Sequence, residues 1–202
     1  MRIGLDIRWL HQTLSHQPAE ECPGGIGSYS LHLTKHLLRF DDENRYVLFG
    51  SRAFPIELLT KHFPEDGKST IVLLPVSPAV NVAQATLGVV FKRLWERANI
   101  APVLRAQHLD VMHFHQQGEI PHLGPYKTMM TVHDMMLSVY DRQFFGNAVS
   151  RWLWRRHVRN FRAADAIIAI SESTKRDIIA YADVRPDQIH MIYYGLAGTF
   201  KG

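Results

Sequence analysis

The sequence predicts an α/β fold, a doubly wound parallel sheet, on three observations. Short apolar runs alternate with helix-like patterns along the whole chain, as crossover-connected parallel strands require. A length of 202 residues suits one large α/β domain or two small ones, and a hydrophobic fraction of 46% is enough for a real core. There is no internal repeat and no low-complexity segment.

Arg2 to Arg8 reads as a buried first strand, with Ile3, Leu5 and Ile7 alternating with Gly4 and Asp6. His11 to Pro23 has no apolar periodicity and two prolines, and reads as a long, poorly ordered loop. Ile26, Tyr29, Leu33, Leu37 and Phe40 recur at helical spacing, and "DDEN" ends that helix. Gly25 and Gly27 are placed ahead of it, with Tyr29, Leu33 and Leu37 on its buried face. "RYVLFG" is the second strand, stopped by Gly50; Pro55 to His62 suits a short helix; "STIVLLP" is the third strand. Gln84 to Asn99 is a helix with Leu87, Phe91, Leu94 and Trp95 on one side. "DVMHF" and "TMMTVHD" are two further strands joined by a polar loop, "HQQGEIPHLGP". Asn147 to Arg162 is a basic, aromatic helix, and "ADAIIAIS" a strand. Glu172 to Tyr181 is a helix placed to be capped by Ser171, and "QIHMIYYG" is the last strand. No helix follows to close the final unit, so the fold is expected to be cut at "GLAGTFKG".

Composition excludes several classes. Charged residues, at 21%, are too few for disorder, and a net charge of +4 is not that of a nucleic-acid tail. The single cysteine, Cys22, excludes a disulfide framework and points to a reducing compartment, so a cytoplasmic location is expected. The start "MRIGLDIRWLHQ" is too charged for a signal peptide, and no apolar run approaches the ~18 residues of a membrane span.

The stretch "CPGGIGSYSLHLTKHLL" sets three glycines against a helical pattern. Glycines there let backbone N–H groups approach an anion closely, where the helix dipole favours negative charge. A dinucleotide fingerprint should follow its strand at once, but residues 9–23 intervene and no lone acid ends the second strand. A P-loop fails because no Lys-Ser or Lys-Thr follows the glycines. A turn that only lets the helix pack on the sheet stays open. "TVHD" places His133 and Asp134 at the C-terminal end of a strand, where open α/β sheets bind ligands.

"GGIGSYSLHLTKHL", "ENRYVLF", "DVMHF", "TVHDMM", "ADAIIAISESTKRDI" and "PDQIHMIYYG", in this order, resemble the N-terminal domain of family 4 retaining glycosyltransferases, over nearly the whole chain. Within that family the chain resembles bacterial transferases that build surface polysaccharides such as lipopolysaccharide, for example mannosyltransferases. The resemblance implies half of a two-domain GT-B fold: residues 1–202 as the Rossmann-like, acceptor-side domain, with a C-terminal nucleotide-sugar domain outside the chain. It puts Gly24, Gly25, Ile26 and Gly27 against donor phosphates and acceptor, and His133 on the transferred sugar as the catalytic residue. Asp6 and Arg8, ending the first strand, are expected to face the same cleft. The implied reaction moves a hexose from a GDP- or UDP-linked sugar to a glycan or lipid-linked acceptor with retention, using no cofactor and no metal. The family's last strand normally ends in Asn-Gly; here it is Tyr194-Gly195. The family's two glutamates seven residues apart belong to the second domain, and Glu57 and Glu65 match that spacing by chance. The isolated chain is therefore expected to be inactive. A free-standing glycan-binding or partner-dependent module, and a dinucleotide-binding oxidoreductase domain, are the alternatives.

Other motifs carry less. His113, His115 and His122 lack a third ligand at motif spacing and a Cys partner. "RWLWRRHVRNFR" reads first as a helix packing its apolar side on the sheet. Its second reading is contact with an anionic membrane, at the inner face; nucleic acid is not expected. Cys22 has no His partner in motif spacing.

Overall fold

Strands β1 (Arg2–Asp6), β2 (Arg45–Ser51), β3 (Ser69–Leu74), β4 (Val111–Phe114), β5 (Lys127–Val132), β6 (Ala166–Ala169) and β7 (Ile189–Met191) form one sheet, in the order β3-β2-β1-β4-β5-β6-β7. Neighbours β1/β2, β2/β3, β5/β6 and β6/β7 run parallel, so the fold is the expected Rossmann-like, doubly wound α/β arrangement. The computed structural model describes residues 1–10, 25–64, 67–76, 94–117 and 123–195. The loop expected over His11 to Pro23, Gly24, the first part of the helix expected from Gln84, Glu65, His122 and the residues after Gly195 lie outside them. The chain divides into two compact units, Met1–Met112 with Pro121–Tyr126, and His113–Ile120 with Lys127–Gly202.

In the first unit, β2 is buried on both faces from Tyr46 to Gly50, as a central parallel strand should be. One side packs Leu5, Ile7, Leu31, Leu48, Leu59 and Phe63. On β1, a Cβ at Gly4 would meet Met112 Sδ at 2.6 Å, Leu109 Cδ1 at 2.8 Å and Phe49 Cε2 at 2.9 Å, so a side chain there would have to displace its neighbours. Gly50 does not stop β2; the strand runs on to Ser51, paired with Leu74.

Helix α1 (Gly25–Phe40) begins earlier than its apolar residues suggest, so Gly25 and Gly27 are its first and third residues and do not precede it. The first N–H groups of a helix need no intrahelical partner, which makes a bare start possible. Its deepest residues are Gly27, Ser30, Leu31 and Thr34, while Tyr29 and Leu33 are half-buried and Phe40 is 69% exposed. Small side chains let the helix approach the sheet closely, so the buried stripe passes through residues that read as polar. "DDEN" ends the helix as expected. Asp41 accepts from the backbone N–H groups of Glu43 and Asn44 and from the Tyr46 hydroxyl. Those bonds, Tyr46 first, hold the Asp41 carboxyl below its usual range. Helix α2 (Ile56–His62) matches its expectation; residues 94–99 are helical and α3 (Ala101–Arg105) follows them.

In the second unit, Asp165 joins β6 to β5 by accepting from Lys127 Nζ at 2.9 Å and Thr128 N at 2.8 Å. Two short helices absent from the sequence pattern, α4 (Met136–Val139) and α5 (Asp141–Phe144), follow β5. Helix α6 (Ala148–Arg159) continues into a 3₁₀ turn, Asn160–Ala163. Helix α7 (Glu172–Ala182) carries the expected cap, with Ser171 Oγ accepting from Thr174 N at 3.1 Å. Strand β7 is shorter than "QIHMIYYG". Its last ladder bond runs from Ile192 N to Ala169 O, and Ile192, Tyr193 and Tyr194 leave the sheet half exposed.

Candidate active site

In the first unit the expected site residues lie at the end of β1 and the start of α1. Asp6 is 4% exposed, and a buried carboxylate must be paired. Arg8, beyond the strand, grips it with both arms of its guanidinium: Nε to Oδ1 at 2.8 Å and Nη2 to Oδ2 at 2.7 Å. The Arg8 backbone N–H donates to the same carboxylate at 3.1 Å. Asp6, and more weakly Glu96, hold the guanidinium firmly charged. Asp6 is thus a positioning partner and not a free base. A third of the Arg8 side chain remains open to solvent.

At the start of α1, Gly25 is exposed, Ile26 half-buried and Gly27 buried. Among the described residues, a Cβ built on Gly25 meets nothing within 4 Å. Packing among the described residues therefore does not require glycine at position 25, although glycine costs up to ~1 kcal/mol against alanine in a helix.

In the second unit, β5 delivers His133 to its C-terminal end, where the side chain is almost wholly buried. The His133 Nε2–H donates to the His115 carbonyl at 2.7 Å, and Nδ1 accepts from the Tyr194 hydroxyl. These two contacts define the Nε2–H neutral tautomer. Burial lowers the His133 pKa below its ordinary value, partly opposed by the His115 carbonyl and the Asp134 charge. Neighbouring His115, fully enclosed, is pushed down to about 3 by burial, with a smaller contribution from His133. Both rings are neutral at physiological pH. His113 is engaged elsewhere, with Nε2 at 2.9 Å from Thr131 Oγ1.

The backbone around His133 is braced from two sides. Gln117 Oε1 accepts from His133 N at 3.0 Å, and Gln117 Nε2 donates to Asp134 O at 3.0 Å. Thr174, in the first turn of α7, donates from Oγ1 to His133 O at 3.3 Å. Asp134 itself is exposed, and its Oδ1 accepts from Met136 N at 2.9 Å, starting α4. Sequence reasoning found His133 and Asp134 but missed Gln117, Thr174 and Tyr194. Gln117 sat in a stretch read only as a polar loop. Thr174 was legible as the partner of the Ser171 cap. Tyr194 stood where the resembling family has Asn, and the structure sets its hydroxyl on His133 Nδ1.

The sheet is that of a Rossmann-like α/β domain, and His133 stands buried and braced at the end of β5. The chain belongs to glycosyltransferase family 4: the family's model, described as Glycosyltransferase Family 4, matches residues 23–197. Three Escherichia coli proteins described as serotype-specific mannosyltransferase WbdA are similar to it, each 31% identical over 65 residues. That match covers 32% of this chain and 8% of each relative, so the chain spans only a small part of their length. Among the described residues, no helix is long and apolar enough to cross a membrane.

Proposed function

We propose that the complete protein transfers a hexose, of mannose or glucose type, from a GDP- or UDP-linked sugar to a glycan or lipid-linked acceptor in surface polysaccharide synthesis, with retention at the anomeric carbon. Membership of family 4 and the partial similarity to mannosyltransferases support the class and the sugar. The observation that carries the mechanism is the His133 brace.

In this reading the bond from the anomeric carbon to the diphosphate oxygen breaks, and the leaving nucleoside diphosphate takes the electron pair. The acceptor oxygen bonds to the same face of that carbon and gives up its proton to the departing phosphate oxygen. Gly25 and Gly27 let the N-terminal N–H groups of α1 approach the departing phosphate, where no side chain stands between them and the charge. Arg8, held charged by Asp6, adds a cation. His133, neutral and fixed by Gln117 and Thr174, meets the sugar with a ring nitrogen once Tyr194 yields its place on Nδ1. The nucleotide-binding half belongs to a second domain beyond these residues, so the isolated chain does not turn over.

The test incubates the complete protein with GDP-mannose and, separately, UDP-glucose in the presence of a glycan acceptor. NMR of the product then reads the anomeric configuration. An α-linked product from an α-linked donor is expected; a β-linked product, or no transfer from either donor, contradicts the proposal.

A further inference from the structure

His133 has two ring nitrogens, and the fold engages them in different ways. The Nε2–H donates to the His115 carbonyl at 2.7 Å, and that bond is buried. Nδ1 is therefore the acceptor, and its donor is the hydroxyl of Tyr194, 61 residues further along the chain. This second contact is only partly buried: His133 is 8% exposed, whereas Tyr194 is 46% exposed. The two rings do not stack. Their centres lie 6.0 Å apart with planes at 43°, so the phenol reaches the imidazole through its hydroxyl.

The two contacts also differ in what supports them. His115 follows β4 directly and is enclosed, so its carbonyl is fixed in place. The backbone of His133 is held by Gln117 at 3.0 Å and by Thr174 at 3.3 Å, and neither bond involves Tyr194. Tyr194 comes from beyond β7. The ladder there closes where Ile192 N donates to Ala169 O, and Ile192, Tyr193 and Tyr194 are exposed past it. The phenol bond exchanges readily, because an exposed hydroxyl finds water when it leaves. The Nε2 bond does not, because breaking it would strand a buried carbonyl.

We propose that the Tyr194 hydroxyl holds the place of a sugar hydroxyl on His133, and that Tyr194 thereby gates the sugar half of the donor. This rests on the reading of His133 as the group that meets the transferred sugar. With Nε2–H committed, the ring offers an incoming group only the Nδ1 lone pair, which needs a donor. A sugar hydroxyl is such a donor; an ionised phosphate oxygen is not. The place therefore suits the sugar and not the diphosphate. Sugar and phenol compete for one lone pair, so the apparent affinity for the sugar is reduced to the fraction of molecules in which the place is open. When the sugar enters, Nδ1 keeps one hydrogen bond and the phenol passes into water. Tyr194 acts through His133 and takes no part in the bond changes.

The test measures binding of GDP-mannose and UDP-glucose, and of GDP and UDP alone, to the complete protein by calorimetry. Tyr194→Phe keeps the ring and removes the hydroxyl. It should bind the sugar nucleotide that the protein uses about fivefold more tightly, the effect of one modest hydrogen bond, and bind the nucleotide alone as the parent does. KM for that donor should fall by the same factor without a fall in kcat. Tyr193→Phe, at the exposed neighbouring position, should bind like the parent. Circular-dichroism melting checks each fold, and Tyr194→Leu, which also lacks the hydroxyl, replaces Tyr194→Phe if the latter melts early. Fluorine NMR of a fluorotyrosine at position 194 should show the ring moving into solvent when the sugar nucleotide is added, and not when GDP or UDP is added. Sugar-nucleotide affinity that ignores the loss of the hydroxyl overturns the gate and leaves the transfer reading standing. So does a fall in kcat at constant KM, which would make Tyr194 a positioning group for His133, and so does equal tightening of GDP or UDP alone. Failure of both sugar nucleotides to bind parent and variants alike overturns the transfer reading and the gate together.

Discussion

At residue scale, the two groups central to the proposed transfer are constrained in opposite ways. Among the described residues, nothing crowds the space where a Cβ on Gly25 would stand. Gly25→Ala should therefore leave the melting temperature unchanged or slightly raised, since alanine also reduces the freedom of the unfolded chain. In the complete enzyme the same change should lower kcat/KM. A lower melting temperature with turnover intact would assign the glycine to packing. His133, by contrast, is engaged at both ring nitrogens. The Tyr194 hydroxyl donates to Nδ1 and so favours the neutral ring. Tyr194→Phe removes that donor, and the His133 pKa should rise toward its ordinary value, read from the pH dependence of its ring resonances by NMR. An unchanged titration would show that burial alone sets it.

At element scale, β1 and α1 show what the sequence discloses and what it hides. The alternation of Ile3, Leu5 and Ile7 was legible because a strand buried in a parallel sheet needs apolar residues. The inward face of α1 was not, since Gly27, Ser30 and Thr34 go inside for their size, and a hydrophobic pattern does not register size. The Ser171 cap of α7 could be read because capping is local chemistry within four residues. Gln117 and Tyr194 reach His133 across 16 and 61 residues, a pairing that no local pattern encodes. The helices α4 and α5, of 4 residues each, are too short to show a period. Gly4 gives the element-scale prediction. Gly4→Ala forces a methyl against Met112, Leu109 and Phe49, and overpacking of this kind costs about 1–3 kcal/mol. A urea titration should show the midpoint fall with an unchanged slope. An unchanged midpoint would mean that β1 shifts freely, which a central parallel strand should not.

At the scale of the whole molecule, burial of neutral histidines couples stability to pH. His115, His133 and His62 all have their folded-state pKa lowered, His115 to about 3, so between the unfolded value of 6.5 and these lower values the unfolded chain binds more protons. The stabilising contribution is complete above the unfolded value and is lost as pH falls toward the folded values. The melting temperature should thus decline as pH is lowered from 6.5, before the carboxylates Asp41 and Asp165 begin to protonate. His115→Gln should flatten that decline. A flat profile in the parent chain would contradict the buried, neutral assignment.

The central claim is that a family 4 domain performs sugar transfer through the histidine at the end of β5. The most direct measurement is kcat/KM for hexose transfer by the complete enzyme carrying His133→Ala, with circular dichroism confirming the fold. Loss of one contact that stabilises the transition state typically costs about 2.7–4 kcal/mol, so a fall of ~100- to 1000-fold is predicted. A variant that stays folded and transfers the sugar at the parent rate would contradict the account.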